Sequence, residues 1–171
     1  IVTSPDGITW TGRTAPVTAN WYCICYGGNT FVAIGATGEI ITSPNASAWT
    51  SRGTIGNGTW WDIVYGNGMF VAVSAAGYIA RSTDGINWTT TKITETEQIL
   101  RISFGFGLFF VLSKKGIVFS SPNGVKWRST KIDVATEEEC GNGIVCGSKN
   151  IVVISSDSTN NNIRLSSTIN T

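Results

Sequence analysis

The chain has 171 residues, a formal net charge of +1, 13% charged residues and no histidine. That length allows one sizeable core, and no stretch reads as a linker, so residues 1–171 are taken as a single domain. The lack of a basic cluster argues against nucleic acid as a partner, and the lack of histidine excludes serine–histidine or cysteine–histidine catalysis within this chain.

No apolar run is long enough to span a bilayer and no signal peptide is recognisable, so membrane insertion is not expected. The sequence opens at Ile1 in the middle of a repeat unit and without methionine, which predicts a piece of a larger polypeptide or a processed product. A homo-oligomer is the other arrangement that such an opening allows.

The first element is the segment SPDGITW at 4–10, and the pattern returns as SPNASAW at 43–49, STDGINW at 82–88 and SPNGVKW at 121–127. Ser4, Ser43, Ser82 and Ser121 are spaced by 39 residues, as are Trp10, Trp49, Trp88 and Trp127. A constant period of this size marks a repeat architecture, in which each unit is one supersecondary element unable to bury its apolar face alone. Within the motif, serine begins a turn and Asp6, Asn45, Asp84 or Asn123 accepts backbone amides two residues on. A glycine then takes positive φ, and the tryptophan anchors the returning strand between neighbouring units. Cation sites on those four Asp and Asn residues are disfavoured because each turn offers too few carboxylates, and no metal or cofactor is expected.

The segments preceding each motif also repeat, at 21–44, 60–83 and 99–122. In the second unit, three apolar runs at 61–65, 69–73 and 78–81 are separated by Gly66-Asn67-Gly68 and Ala75-Ala76-Gly77. Such runs, rich in β-branched and aromatic residues and bounded by glycine turns, predict hairpin-linked strands, with a fourth strand starting at Trp88. No helical periodicity is present. The expected fold is therefore all-β: a β-propeller, or a propeller segment, of four-stranded antiparallel blades with a 39-residue repeat. Half a blade opens the chain, three whole blades follow, and a degenerate unit at 138–171 closes it. In that unit the hairpin at 147–154 is displaced by three residues, and its next strand is expected at 163–166 after a polar insertion at 155–162. Either a four-blade ring closed by the terminal strands or an arc of a larger ring fits this count.

The four cysteines, Cys23, Cys25, Cys140 and Cys146, contain no CxxC pair, and Cys23 and Cys25 share one side of a strand, so half-buried or buried free thiols are favoured over a bridge or a zinc site. Trp21 and Trp60 occupy equivalent entries to the innermost strand beside Tyr22, Trp61 and Asp62. Aromatic faces next to polar groups suit a sugar or a peptide, whereas packing between blades is the other role such recurring rings take, and recurrence favours it. Arg101 is the one inner-strand arginine, at the position of Cys23 and Asp62 in the other units. One inward arginine does not make the triad a sialidase needs, and Asp62 is the sole acid in the middle of an inner strand, so no catalytic residue is assigned. Glu95, Glu97, Glu137, Glu138 and Glu139 are expected to be solvated surface.

S-P-D-G-I-T-W and S-T-D-G-I-N-W resemble the Asp-box, or BNR, repeat of sialidases and related propellers, although the copies here are one residue shorter. The pattern G-N-G-x-F-V-A-V followed by G-x-I-x-x-S-x-D-G-x-x-W is similar to that of bacterial and phage propeller proteins, including phage tail-fibre and virion-surface proteins. The resemblance implies that the motif turns lie on the rim and that ligands meet the opposite end, formed by loops 14–20, 53–59, 92–98 and 131–137 and turns 36–38, 75–77 and 114–116. It implies a non-enzymatic structural or host-attachment module at a virion surface or outside the cell, binding a host glycan or other structural proteins. A fragment of an Asp-box glycosidase and a propeller that docks on proteins during assembly, as in photosystem assembly factors, are the alternatives.

Overall fold

The computed structural model describes residues 1–56, 58–95, 97–132 and 143–154, and the backbone of 165–166. Its strands in chain order are β1 (Val2–Thr3), β2 (Thr11–Gly12), β3 (Trp21–Gly27), β4 (Thr30–Gly35), β5 (Glu39–Ser43), β6 (Thr50–Thr54), β7 (Trp60–Gly66), β8 (Met69–Ser74), β9 (Tyr78–Ser82) and β10 (Thr89–Lys92). They continue with β11 (Ile99–Gly105), β12 (Leu108–Ser113), β13 (Ile117–Ser121), β14 (Arg128–Lys131), β15 (Gly143–Cys146), β16 (Ile151–Ile154) and β17 (Leu165–Ser166). Helices are absent among the described residues.

Each 39-residue period folds as an antiparallel meander, because short β-branched runs joined by tight turns can pair only with their sequence neighbours. The three complete blades are β3–β6, β7–β10 and β11–β14; β1 pairs only with β2, and β15–β17 form a three-stranded sheet. These described sheets follow the order of the repeat units, from the two-stranded pair through three blades to the three-stranded sheet. The opening and closing strands lie in separate sheets, so among the described residues no ladder closes the arc. The displaced hairpin at 147–154 is also present, pinned by the Gly147 amide donating to the Asn150 carbonyl at 2.8 Å. The third strand of that unit is seen as Leu165–Ser166; Ile163, Arg164, Cys140, Glu137, Glu138, Glu139 and the insertion at 155–162 lie outside the described residues.

The core is a series of interfaces between blades. Val32, Ile34 and Ile40 of one blade pack on Ile63, Phe70 and Ala72 of the next. Val71, Val73 and Ile79 pack on Ile102, Phe109 and Val111, and Phe110 and Leu112 pack on Ile151 and Val153. Each interface is locked at one end by a side chain laid on a glycine, a ring in two of the three. A Cβ built on Gly27 would lie 2.0 Å from Tyr65, and one on Gly66 would lie 2.3 Å from Phe104. At Gly105 the same space is taken by Cys146. These glycines were expected only as turn residues; their absent side chains are what let the blades approach.

The motif turns form as the sequence predicts. Asp6 Oδ1 accepts the amides of Ile8 and Thr9, both at 2.8 Å, and Asp84 Oδ1 accepts those of Ile86 and Asn87, also at 2.8 Å. Asn45 takes the amides of Ser47 and Ala48, and Asn123 takes that of Val125. Ser4, Ser82 and Ser121 each accept the amide three residues on. Gly85 adopts φ 72°, and Ala46, in the equivalent place, is held at φ 59°, a conformation costly for a residue with a Cβ.

Three of the four motif tryptophans share one setting. Trp49, Trp88 and Trp127 each pack against the face their blade turns to its predecessor. The indoles of Trp49 and Trp88 donate to the carbonyls of Ala46 and Gly85 at 3.0 and 3.1 Å. Trp10 departs from the expected anchoring role: it is 59% exposed, because β1 and β2 form a sheet by themselves and no second strand of their own blade supplies the ring that Phe31 and Phe70 offer Trp49 and Trp88.

Candidate functional site

The first strands of successive blades, β3, β7, β11 and β15, lie side by side as the innermost strands. Loops and turns at the end where these strands begin are braced by backbone bonds that repeat from blade to blade. Ala36, Ala75 and Lys114 amides donate to Asn20, Thr59 and Gln98 carbonyls, and Ile55, Ile93 and Ile132 amides to Gly38, Gly77 and Gly116 carbonyls. This is the end that the resemblance assigns to ligands; the bonds that recur there in all three complete blades join backbone groups, and the Ser74 and Ser113 hydroxyls add to them by accepting the Tyr78 and Ile117 amides.

A β-bulge recurs there in all three complete blades. Trp21 pairs with Gly35 and Cys23 with Ile34, leaving Tyr22 as an extra residue. Trp61 is extra between the pairs Trp60–Ser74 and Asp62–Val73, and Leu100 between Ile99–Ser113 and Arg101–Leu112. The cause is parity. Trp60 and Ile63, and likewise Ile99 and Ile102, are buried although three residues apart, whereas a regular strand returns to one face only at even spacing. One inserted residue reconciles the two and re-aims its side chain.

The six residues singled out from sequence therefore divide. Trp60 has no exposed surface, packs between blades and donates its indole N–H to the Gly56 carbonyl at 2.7 Å, so it offers no face to a ligand. Trp21 is half-buried, packed against the cluster of Ala33, Ile41 and Trp49. Of the bulged neighbours, Tyr22 is exposed, and its ring lies 5.3 Å from that of the half-buried Trp61 at an interplanar angle of 38°. Asp62 and Arg101 are partly buried beside them. Leu100, the third bulge residue, was not anticipated, and the spacing of buried positions was the signal that could have found it.

Asp62 bridges two blades. Its Oδ2 accepts the Ile102 amide of β11 at 3.1 Å and its Oδ1 accepts the Ile63 amide at 2.9 Å. Burial raises its carboxyl above the ordinary value of 3.8, against the pull of those two amides and of the Arg101 guanidinium. Arg101 itself donates to the Leu100 carbonyl at 2.8 Å. Cys23 holds the position of Asp62 in the preceding blade, and burial, with the Asp62 charge adding to it, pushes its thiol up to about 12. Burial also raises Cys25 and Cys146, so these free thiols stay protonated and unreactive near neutral pH.

Next to the bulge row, a groove of about 440 Å³ is lined by Gly58, Thr59, Ala75, Ala76, Glu95, Glu97 and Gln98. Glu97 is not the solvated side chain the sequence led us to expect: it is only 9% exposed and pairs with Lys115 at 3.5 Å, tying loop 92–98 to turn 114–116. Glu95 pairs with Lys92. Among the described residues no cluster of three acidic, cysteine or histidine side chains could hold a metal ion.

Meandering four-stranded blades arrayed around shared inner strands make this a β-propeller repeat protein. No protein-family model matches the chain, and no curated protein matches it. Among solved structures it is similar to YCF48 bound to D1 peptide, with 16% identity over 91% of this chain and 55% of that one, at a TM-score of 0.67. YCF48 from Cyanidioschyzon merolae gives 16% identity over 86% of this chain and 53% of that one, at 0.63. The nidogen/laminin complex gives 11% identity over 86% and 60%, at 0.67. The chain thus spans about half the length of the YCF48 chains, and at these identities the likeness establishes the fold alone.

Proposed function

We propose that the chain is a non-enzymatic propeller module that binds an extended segment of a partner protein at the loop end of its inner strands. The observation that carries this is the row of bulges, which brings the exposed Tyr22 and the half-buried Trp61 and Leu100 to the same place in three adjacent blades over a braced backbone frame, near Asp62 and Arg101. Planar and apolar surface supplies contact area, while one acid and one guanidinium orient a peptide's polar groups. The YCF48 structure with D1 peptide shows the fold accommodating a peptide in that protein.

Panning a random-peptide display library against the chain tests this. Enriched peptides should bind with micromolar affinity and lose at least tenfold on Tyr22→Ala plus Trp61→Ala, with the far-ultraviolet spectrum unchanged. A glycan reading is favoured by the paired Tyr22 and Trp61 rings beside Asp62. Binding on a glycan array that the same double variant abolishes, without peptide enrichment, would put that reading in its place. The proposal extends to the setting: an Asp-box-type propeller decorating a virion or secreted surface, which a search for the chain in purified virions tests.

A further inference from the structure

The groove beside the bulge row contains a buried carboxylate oxygen that lacks a donor, and we propose that it takes the charged head of a lysine or arginine side chain from a partner segment. This rests on the reading of the loop end as a peptide-binding surface and names the residue type that the bound segment brings there.

Glu97 carries the argument. Its side chain is 9% exposed and lines the groove, and among the described residues its Oε2 has no hydrogen-bond partner. The loop fixes it in place, its amide donating to Thr94 Oγ1 at 3.1 Å. A carboxylate has lone pairs for about four donors. Oε1 meets only the Lys115 ammonium, at 3.5 Å and on a side chain that is 61% exposed. That separation exceeds the roughly 2.7–2.9 Å of a charge-assisted hydrogen bond. A buried acceptor without a donor is unfavourable, and an incoming cation relieves it. Glu95 differs: it is 77% exposed and already holds Lys92, so it adds charge to the groove without an unmet bond.

The remaining lining fits the stem of such a side chain. Ala75 and Ala76 line the groove with Gly58, where a Cβ would lie only 3.2 Å from the Ala76 methyl. Lysine and arginine lay their methylenes along apolar surface of this kind while the head reaches a charge. A volume of about 440 Å³ admits one long side chain. An acidic side chain would meet two carboxylates there, and an aliphatic one would leave Oε2 without a donor. Thr59 and Gln98 immediately precede β7 and β11, the strands that carry Trp61 and Leu100, so one extended segment can cover the bulge row and place a basic residue in the groove.

The N-methylamides of acetyl-lysine and acetyl-arginine are the probes, titrated against the chain and followed by backbone amide chemical shifts, with the norleucine analogue as the uncharged control. The shifts of Gly58, Ala75, Ala76 and Glu97 should saturate at millimolar concentration of either cationic probe and stay unmoved by norleucine. Glu97→Gln keeps the shape and should weaken the probes by about tenfold. Ala76→Leu, at an exposed turn position, fills the groove from another residue and should weaken them as well. Lys115→Met removes the competing ammonium and should tighten binding severalfold, whereas a Glu97 that served only to hold Lys115 would give no gain. Tyr22→Ala plus Trp61→Ala should leave probe affinity unchanged, which separates this site from the bulge row. No saturable shift with either cationic probe, equal shifts with norleucine, or probe affinity indifferent to Glu97→Gln would each overturn the proposal. Library peptides that bind the bulge row but share no lysine or arginine would also overturn it, while leaving the peptide surface standing.

Discussion

The two ends of each blade are built from the same backbone repeat but held by different means. At the motif end, side chains that recur in every unit do the holding: serine and Asp or Asn bind turn amides, and a ring rests on a glycine. At the loop end the bonds common to all three complete blades are between backbone groups, and the inner-strand side chains change from blade to blade, from Cys23 to Asp62 to Arg101 and from Tyr22 to Trp61 to Leu100. A position braced by backbone can vary its chemistry without loss of fold, which is why a binding surface can develop there.

The sharpest way to break this contrast is Gly66→Ala, which places a methyl carbon 2.3 Å from the Phe104 ring. A clash between two blades should cost about 3 kcal/mol, read as a lowered urea midpoint. Next comes Asp84→Ala. It strips the acceptor from the Ile86 and Asn87 amides and should cost about 1–2 kcal/mol, with Asp84→Asn recovering most of it.

Acid titration separates the ends by sign. Asp6 is drawn from 3.8 down to about 2 by the amides of Thr9 and Ile8, and Asp84 is drawn further down, chiefly by the Asn87 amide. A depressed folded value means that the stability these turns contribute is complete above the unfolded value of 3.8 and is lost as pH falls toward and below 2. Asp62 is raised instead, chiefly by burial, so protonating it as pH falls through its folded value favours the folded state. Asp84→Asn should therefore flatten the acid limb of a stability–pH curve, whereas Asp62→Asn should steepen it.

Smaller effects remain at each end. Ala46→Gly relieves a left-handed alanine and should stabilise by roughly 0.5 kcal/mol, the strain relief being partly offset by lost contact with the Trp49 cluster. Tyr22→Ala alone should change stability by less than about 0.5 kcal/mol, since exposed side chains contribute little to folding. A large loss there would show that the loop end depends on its side chains after all.

The repeat period, strand order and the motif turns could be read in the sequence because 39-residue self-similarity sums weak signals over several copies. The strand expected to start at Trp88 starts at Thr89, since the indole turns back to the Gly85 carbonyl and leaves the ladder to its neighbour. The bulges were missed because a constant period hides an insertion that every unit shares; only the odd spacing from Trp60 to Ile63 betrays it. The same blind spot let Trp60 stand beside Trp61 among the expected ligand contacts, although Trp60 is fully buried and Trp61 only half. Trp10 was assigned the role of its repeats, but burial depends on the neighbouring strands that supply a ring such as Phe31 or Phe70, which the motif alone does not encode.

The ring-on-glycine contact has a direction: every blade lends a side chain backward and offers a hollow forward. Coupling of that kind lets whole units be gained or lost by duplication without redesigning the joints that remain, and it gives mechanical pulling a preferred order, with an end blade peeling before those held on both sides.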